Sequence, residues 1–144
     1  MIAIGCDHGG LNLKGYIEKL LEDMGLEFKD FGTYDSASCD YPDIAVKVCG
    51  SVTSGECEKG ILICGTGIGM SIAANKIDGI RAAHLTDTYS ARMSKEHNNA
   101  NVICLGERIT GCDLAAEIVK AYLGASFGGG RHENRVNKIM ELEK

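Results

Sequence analysis

Short apolar runs recur along the chain, and between them apolar residues return at helical intervals. Residues 2–6, 27–31, 60–64, 80–85 and 102–105 read as strands. After the first, Leu13, Tyr16, Ile17, Leu20, Leu21 and Met24 make an i, i+3, i+4, i+7 stripe that stops at Gly25. Pro42 stands at the start of a second helix, where its fixed φ suits the first turn, and Ile44, Ala45, Val48 and Val52 supply the buried face. Thr110, with Asp113 three residues on, reads as a capping box ahead of Leu114, Ile118, Val119 and Tyr122. Strands that alternate with helices need crossover connections, and hence a parallel sheet covered on both faces.

The expectation is one doubly wound α/β domain over residues 1–144, Rossmann-like or flavodoxin-like, around a five-stranded parallel sheet. The 144 residues suffice for one real core and not comfortably for two. Gly128, Gly129 and Gly130 then introduce a last helix over 131–144, with Val136, Ile139 and Met140 as its apolar residues. It packs on its own domain or reaches across to a partner subunit, and the sequence leaves both open.

Hydrophobic residues make up 44% of the chain and charged residues 24%, as in ordinary globular proteins. The net charge of −5 argues against nucleic-acid or anionic-membrane partners, both of which need a basic face. No apolar run approaches the ~20 residues that span a bilayer, and the N-terminus runs straight into Ile2-Ala3-Ile4-Gly5 without a secretion signal. Seven cysteines, an odd number with no C-x-x-C pair, fit neither a disulfide framework nor a zinc knuckle. A reducing cytoplasm is the expected location. The four histidines show no ligand spacing, so no metal site is expected.

In open parallel sheets ligands bind beyond the carboxyl ends of the strands. Three loops qualify: Asp7-His8-Gly9-Gly10, Gly65-Thr66-Gly67-Ile68-Gly69 and Gly106-Glu107-Arg108. The second has three readings. It is a phosphate cradle, although Met70 stands where a dinucleotide fingerprint needs glycine; it is an oxyanion hole of backbone N–H groups; or it is a tight turn whose glycines only permit packing. Cys64 closes the strand just before it. A thiolate is the working form of cysteine, and a helix N-terminus favours it, so Cys64 is either a base or a last buried strand residue. Asp7 and His8 form a carboxylate–imidazole couple suited to moving hydroxyl protons. His97 ends a helix, where imidazole is often only a dipole partner. Arg108, Arg131 and Arg135, the last two one helical turn apart with His132 between them, are either phosphate ligands or a solvated face.

Taken together these segments resemble the ribose-5-phosphate isomerases of type B, in a larger group that includes galactose-6-phosphate isomerase subunits. The resemblance rests on Gly5-Cys6-Asp7-His8-Gly9-Gly10, on Asp40-Tyr41-Pro42-Asp43 and on Cys64 through Lys76. It continues through His97-Asn98-Asn99-Ala100-Asn101 and Gly106-Glu107-Arg108 to Gly129-Gly130-Arg131-His132 and Arg135. It implies interconversion of ribose 5-phosphate and ribulose 5-phosphate without metal or organic cofactor. The counterparts of His97, Asp7 and His8, with Thr66 assisting, open the furanose ring. A base moves the C2 proton to C1 through a cis-enediolate held by N–H groups of Gly65, Gly67, Ile68 and Gly69. Arg108, Arg131 and Arg135, with His132 nearby, correspond to phosphate ligands, and Asn98 and Tyr41 line the pocket. One branch of the family uses a strand-end cysteine as base; the other has glycine there and a glutamate six residues on. Cys64 and Met70 place this sequence in the thiol branch. The resemblance further implies a homodimer or tetramer with each site shared between subunits, which gives the C-terminal helix and the His97 and Arg108 segments a reason to act in trans. A hexose 6-phosphate, allose or galactose, is the alternative substrate. A non-catalytic phosphosugar-binding module is the alternative of another class.

Overall fold

The computed structural model describes residues 1–143. Five strands, β1 (Ile2–Cys6), β2 (Phe28–Asp30), β3 (Lys59–Cys64), β4 (Ala82–His84) and β5 (Val102–Gly106), form one parallel sheet in the order β2-β1-β3-β5-β4. Six helices accompany them: α1 (Leu11–Asp23), α2 (Tyr41–Thr53), α3 (Ile68–Ala74), α4 (Thr88–Glu96), α5 (Cys112–Leu123) and α6 (Arg131–Met140). This is the expected doubly wound α/β domain.

Side chains that alternate along the three central strands feed two cores. Ile4, Ile61, Ile63, Ile103 and Leu105 meet Leu13 and Ile17 of α1 and Ile118 and Val119 of α5. On the opposite face Ala3, Leu62, Cys64 and Cys104 meet Ile44 and Val48 of α2 and Met70 of α3. Cys64 thus points toward α2 and α3, and strand order reverses between β1 and β3, which puts their carboxyl ends at the crevice where such sheets bind ligands.

The edge strands are shorter than the apolar runs suggest. Each pairs on one side only, and the ladder engages three residues in β2 and three in β4. The capping box at Thr110 does not form. Thr110 is buried, its N–H donates to the Gly106 carbonyl at 2.9 Å, and α5 starts after Gly111 with no side-chain cap. That tight turn commits Thr110 to closing the β5 loop. The final helix ends at Met140, and Lys144, at the end of the expected 131–144 helix, lies outside the described residues.

Candidate active site

The three loops named from the sequence do meet at the carboxyl edge. Asp7 N–H donates to the Ile63 carbonyl at 3.2 Å, Glu107 N–H to Cys64 at 2.9 Å and Arg108 N–H to Gly65 at 3.0 Å. Asp7 is buried, and its Oδ1 accepts the Gly9 N–H at 2.8 Å. His8 is exposed; its Nδ1 accepts the Cys39 N–H at 3.3 Å, so a neutral ring carries its proton on Nε2. Arg108 lies over Gly65: a Cβ there would come 3.2 Å from the guanidinium. Tyr41, at the start of α2, lies against Gly69, where a Cβ would meet the ring at 2.8 Å.

Cys64 is the centre of this edge. It is 5% exposed, and its Sγ accepts the Gly67 N–H at 3.1 Å. Gly67 has φ 83°, a left-handed conformation that suits glycine, and it is the N-cap of α3. The Ile68 N–H donates to Thr66 Oγ1 at 3.2 Å. The first ladder bond of α3 runs from Ser71 N–H to the Gly67 carbonyl, which leaves the Gly69 and Met70 N–H groups outside the ladder. Burial pushes the Cys6 and Cys49 thiols up to about 12 and raises Cys104 as well, so these three stay protonated and inert.

The remaining expected residues lie at the other end of the sheet. His97 is the C-cap of α4, the helix that carries the chain from the end of β4 back to the start of β5. The five residues of β5 separate the two ends by about 15 Å. His97 stacks on His132 of α6, with ring centroids 4.2 Å apart and planes within 12°. Partial burial first, then His97, Arg131 and Arg135, lower the basicity of His132 below the ordinary imidazole value. Asn98, Arg131 and Arg135 are exposed around this stack. The chain therefore carries two constellations: Asp7, His8, Tyr41, residues 64–69 and Arg108 at one edge, and His97, Asn98, Arg131, His132 and Arg135 at the other. Within one chain Arg108 lies beside Gly65 at the Cys64 edge, and the resemblance groups it with the trans segments.

Arg81 and His84, which no motif singles out, also contribute, as does Glu107 of the third loop. Arg81 donates from Nε and Nη2 to the Asn99 carbonyl at 3.0 and 2.8 Å and fixes the turn after His97, where Asn99 has φ 49°. The Glu107 carboxylate accepts the Leu13 N–H at 2.7 Å and caps α1 across 94 residues of sequence. His84, at the carboxyl end of β4, has Nε2 2.8 Å from the Thr66 carbonyl. The rule that directs attention to strand ends finds His84 once it is applied to the fourth strand. Among the described residues no group of three or more His, Cys, Asp or Glu is arranged to hold a metal, and no helix is long and apolar enough to cross a membrane.

A strand-end thiol under a glycine-rich turn, beside a carboxylate–imidazole pair and an arginine, thus stands at the carboxyl edge of a doubly wound α/β sheet, where proteins of this class bind their ligands. Residues 2–139 match the family model described as Ribose/Galactose Isomerase, and the chain belongs to that family of aldose–ketose isomerases. It is 50% identical over 143 residues to ribose-5-phosphate isomerase B of Escherichia coli (strain K12), covering 99% of this chain and 96% of that protein. The solved structure of Clostridium thermocellum ribose-5-phosphate isomerase B superposes with a TM-score of 0.97 at 58% identity, covering 99% and 96% of the two chains. That of the Mycoplasma genitalium enzyme with bound ribulose-5-phosphate gives 0.94 at 41% identity, covering 99% and 95%.

Proposed function

We propose that the chain interconverts ribose 5-phosphate and ribulose 5-phosphate, with Cys64 as the base. The observation that carries this reading is the Cys64 sulfur at the strand end, hydrogen-bonded by Gly67 and followed by the uncommitted N–H groups of Gly69 and Met70. Asp7 and His8, with His97 and Thr66, move protons between the anomeric hydroxyl and the ring oxygen as the furanose opens. The Cys64 thiolate takes the C2 proton; the electron pair moves to O1, and the glycine-loop N–H groups stabilise the charge on the resulting cis-enediolate. A proton passes from O2 to O1 across the cis-enediolate, and the thiol returns the C2-derived proton to C1 as the carbonyl forms at C2, which regenerates the thiolate. Fully buried Met70 stands where the other branch of the family has its glutamate, which supports Cys64 as the base.

The phosphate falls to Arg108, Arg131 and Arg135, with His132 alongside. Because the two constellations occupy opposite ends of one sheet, a complete site needs a second copy of the chain to bring His97, Asn98 and α6 over the Cys64 edge. A homodimer does this twice by symmetry. The exposed apolar side chains Tyr41, Val46, Ile68 and Ile72 on α2 and α3 suit such an interface. The seven free cysteines suit a reducing cytoplasm.

Cys64→Ala tests the reading. Turnover of ribose 5-phosphate falls by about 10³-fold or more, with thermal stability and phosphate-ligand binding retained. Unchanged turnover removes Cys64 from the mechanism. Comparing kcat/KM for ribose 5-phosphate with that for allose and galactose 6-phosphates decides between pentose and hexose.

A further inference from the structure

Cys64 receives its hydrogen bond from the N–H of the peptide that joins Thr66 to Gly67. The carbonyl of that same peptide lies 2.8 Å from His84 Nε2. A trans peptide is planar, and its C=O and N–H point to opposite sides. Whatever grips the oxygen therefore sets the direction of the N–H. A carbonyl only accepts, so His84 is the donor and carries a proton on Nε2.

The grip is needed because the next residue is a glycine. Gly67 sits at φ 83°, and glycine tolerates both signs of φ, so the Thr66–Gly67 plane has a second accessible orientation with its N–H turned away from the sulfur. The contact also depends on a gap in the sheet. β5 lies between β3 and β4, and at its end Gly106 has no side chain, so Thr66 crosses directly over it: a Cβ there would be 2.5 Å from the Thr66 carbonyl carbon and oxygen. A Cβ on Gly67 would meet the His84 ring at 2.8 Å, so the imidazole is packed against the loop as well as bonded to it. His84 is exposed and contributes no core burial that would otherwise account for it.

We propose that His84 is a positioning residue for Cys64: by holding the Thr66 carbonyl it aims the Gly67 N–H at the sulfur and stabilises the thiolate. The relay runs from His84 Nε2–H through one peptide to Cys64 Sγ, and polarisation along such a chain strengthens its second bond. The catalytic part of this inference rests on the proposed role of Cys64; the thiolate part does not.

The test measures both. Wild type, His84→Ala and His84→Gln are treated with iodoacetamide at pH 7, and modification of Cys64 is followed by peptide mass spectrometry, with exposed Cys112 as reference thiol in the same sample. His84→Ala slows Cys64 alkylation by about fivefold, because fewer thiolates are present, and leaves Cys112 unchanged. It lowers kcat for ribose 5-phosphate by about tenfold, a share of the 10²–10³ that outright loss of an oxyanion donor costs, while KM stays within twofold. His84→Gln, whose amide can donate to the same carbonyl, recovers most of both. Alkylation and kcat within twofold of wild type in His84→Ala overturn the proposal. So do equal losses in the Ala and Gln variants that track a lowered melting temperature. If wild type does not isomerise ribose 5-phosphate, the functional reading fails, and the alkylation comparison still decides the role of His84.

Discussion

Gly106→Ala applies a one-carbon perturbation to the candidate site. The added Cβ would lie 2.5 Å from Thr66 C and O and 2.7 Å from Thr66 Cα. All three atoms are backbone, so no side-chain rotation relieves the clash. Ordinary contact begins near 3.4 Å, which requires the Thr66–Gly67 segment to retreat by about 0.9 Å. The segment cannot do so and keep both bonds, since the Gly67 N–H already stands 3.1 Å from Cys64 Sγ and the Thr66 carbonyl 2.8 Å from His84 Nε2. Overpacking of this kind costs about 1–3 kcal/mol of stability, or roughly 2–10 °C in melting temperature for a domain of this size. A misplacement near 1 Å at a reacting group costs about 100-fold in rate. The assay is steady-state isomerisation of ribose 5-phosphate beside a thermal melt. Gly15→Ala is the control: nothing lies within 4 Å of a Cβ there, and helix propensity makes the change stabilising by about 0.5–1 kcal/mol. A Gly106→Ala enzyme with kcat/KM within threefold of wild type would refute the claim that loop placement over β5 controls the sulfur.

Arg135→Ala is expected to raise KM by about tenfold or more through loss of one charge-assisted phosphate contact, with kcat little changed; a large fall in melting temperature at unchanged KM would mark the arginine as structural. Glu18 gives a pH test. Burial first, and then Asp30 beside it, push its carboxyl up to about 7 from an ordinary value of 4.5. Its favoured state in the fold is therefore the protonated one, fully present below pH 4.5 and lost as pH rises through about 7. Glu18→Gln should melt about 3 °C higher than wild type at pH 8 and close to it at pH 5, and equal differences at both pH values would contradict this. Finally, mixing refolded Cys64→Ala and His97→Ala chains should restore about a quarter of wild-type activity, since half the dimers are mixed and each mixed dimer holds one intact site. Activity that stays at the level of the separate variants would argue against a shared site.

The architecture is legible in the sequence because helical and strand periodicities alternate without ambiguity, and fully buried strands such as Ile61-Leu62-Ile63 read as unbroken apolar runs. The Cys64 edge is legible for a related reason: the chemistry of a parallel sheet gathers at strand ends, where polar and glycine residues interrupt apolar ones. Edge-strand lengths are not, because pairing, rather than hydrophobicity, decides where β2 and β4 stop. The capping pattern at Thr110 misleads because it loses to a turn that buries the residue. His84, Arg81 and Glu107 act through backbone atoms 18 to 94 residues away, and such contacts leave no spacing to detect.

The two candidate constellations stand at opposite ends of β5, about 15 Å apart within one chain. On the shared-site arrangement, dissociation is inactivation: below the dimer dissociation constant, specific activity falls in proportion to protein concentration, and above it activity is constant. Substrate that bridges the two halves then acts as a clamp on the assembly, so ribose 5-phosphate should shift the dilution midpoint downward and tie the quantity of working enzyme to the supply of what it consumes.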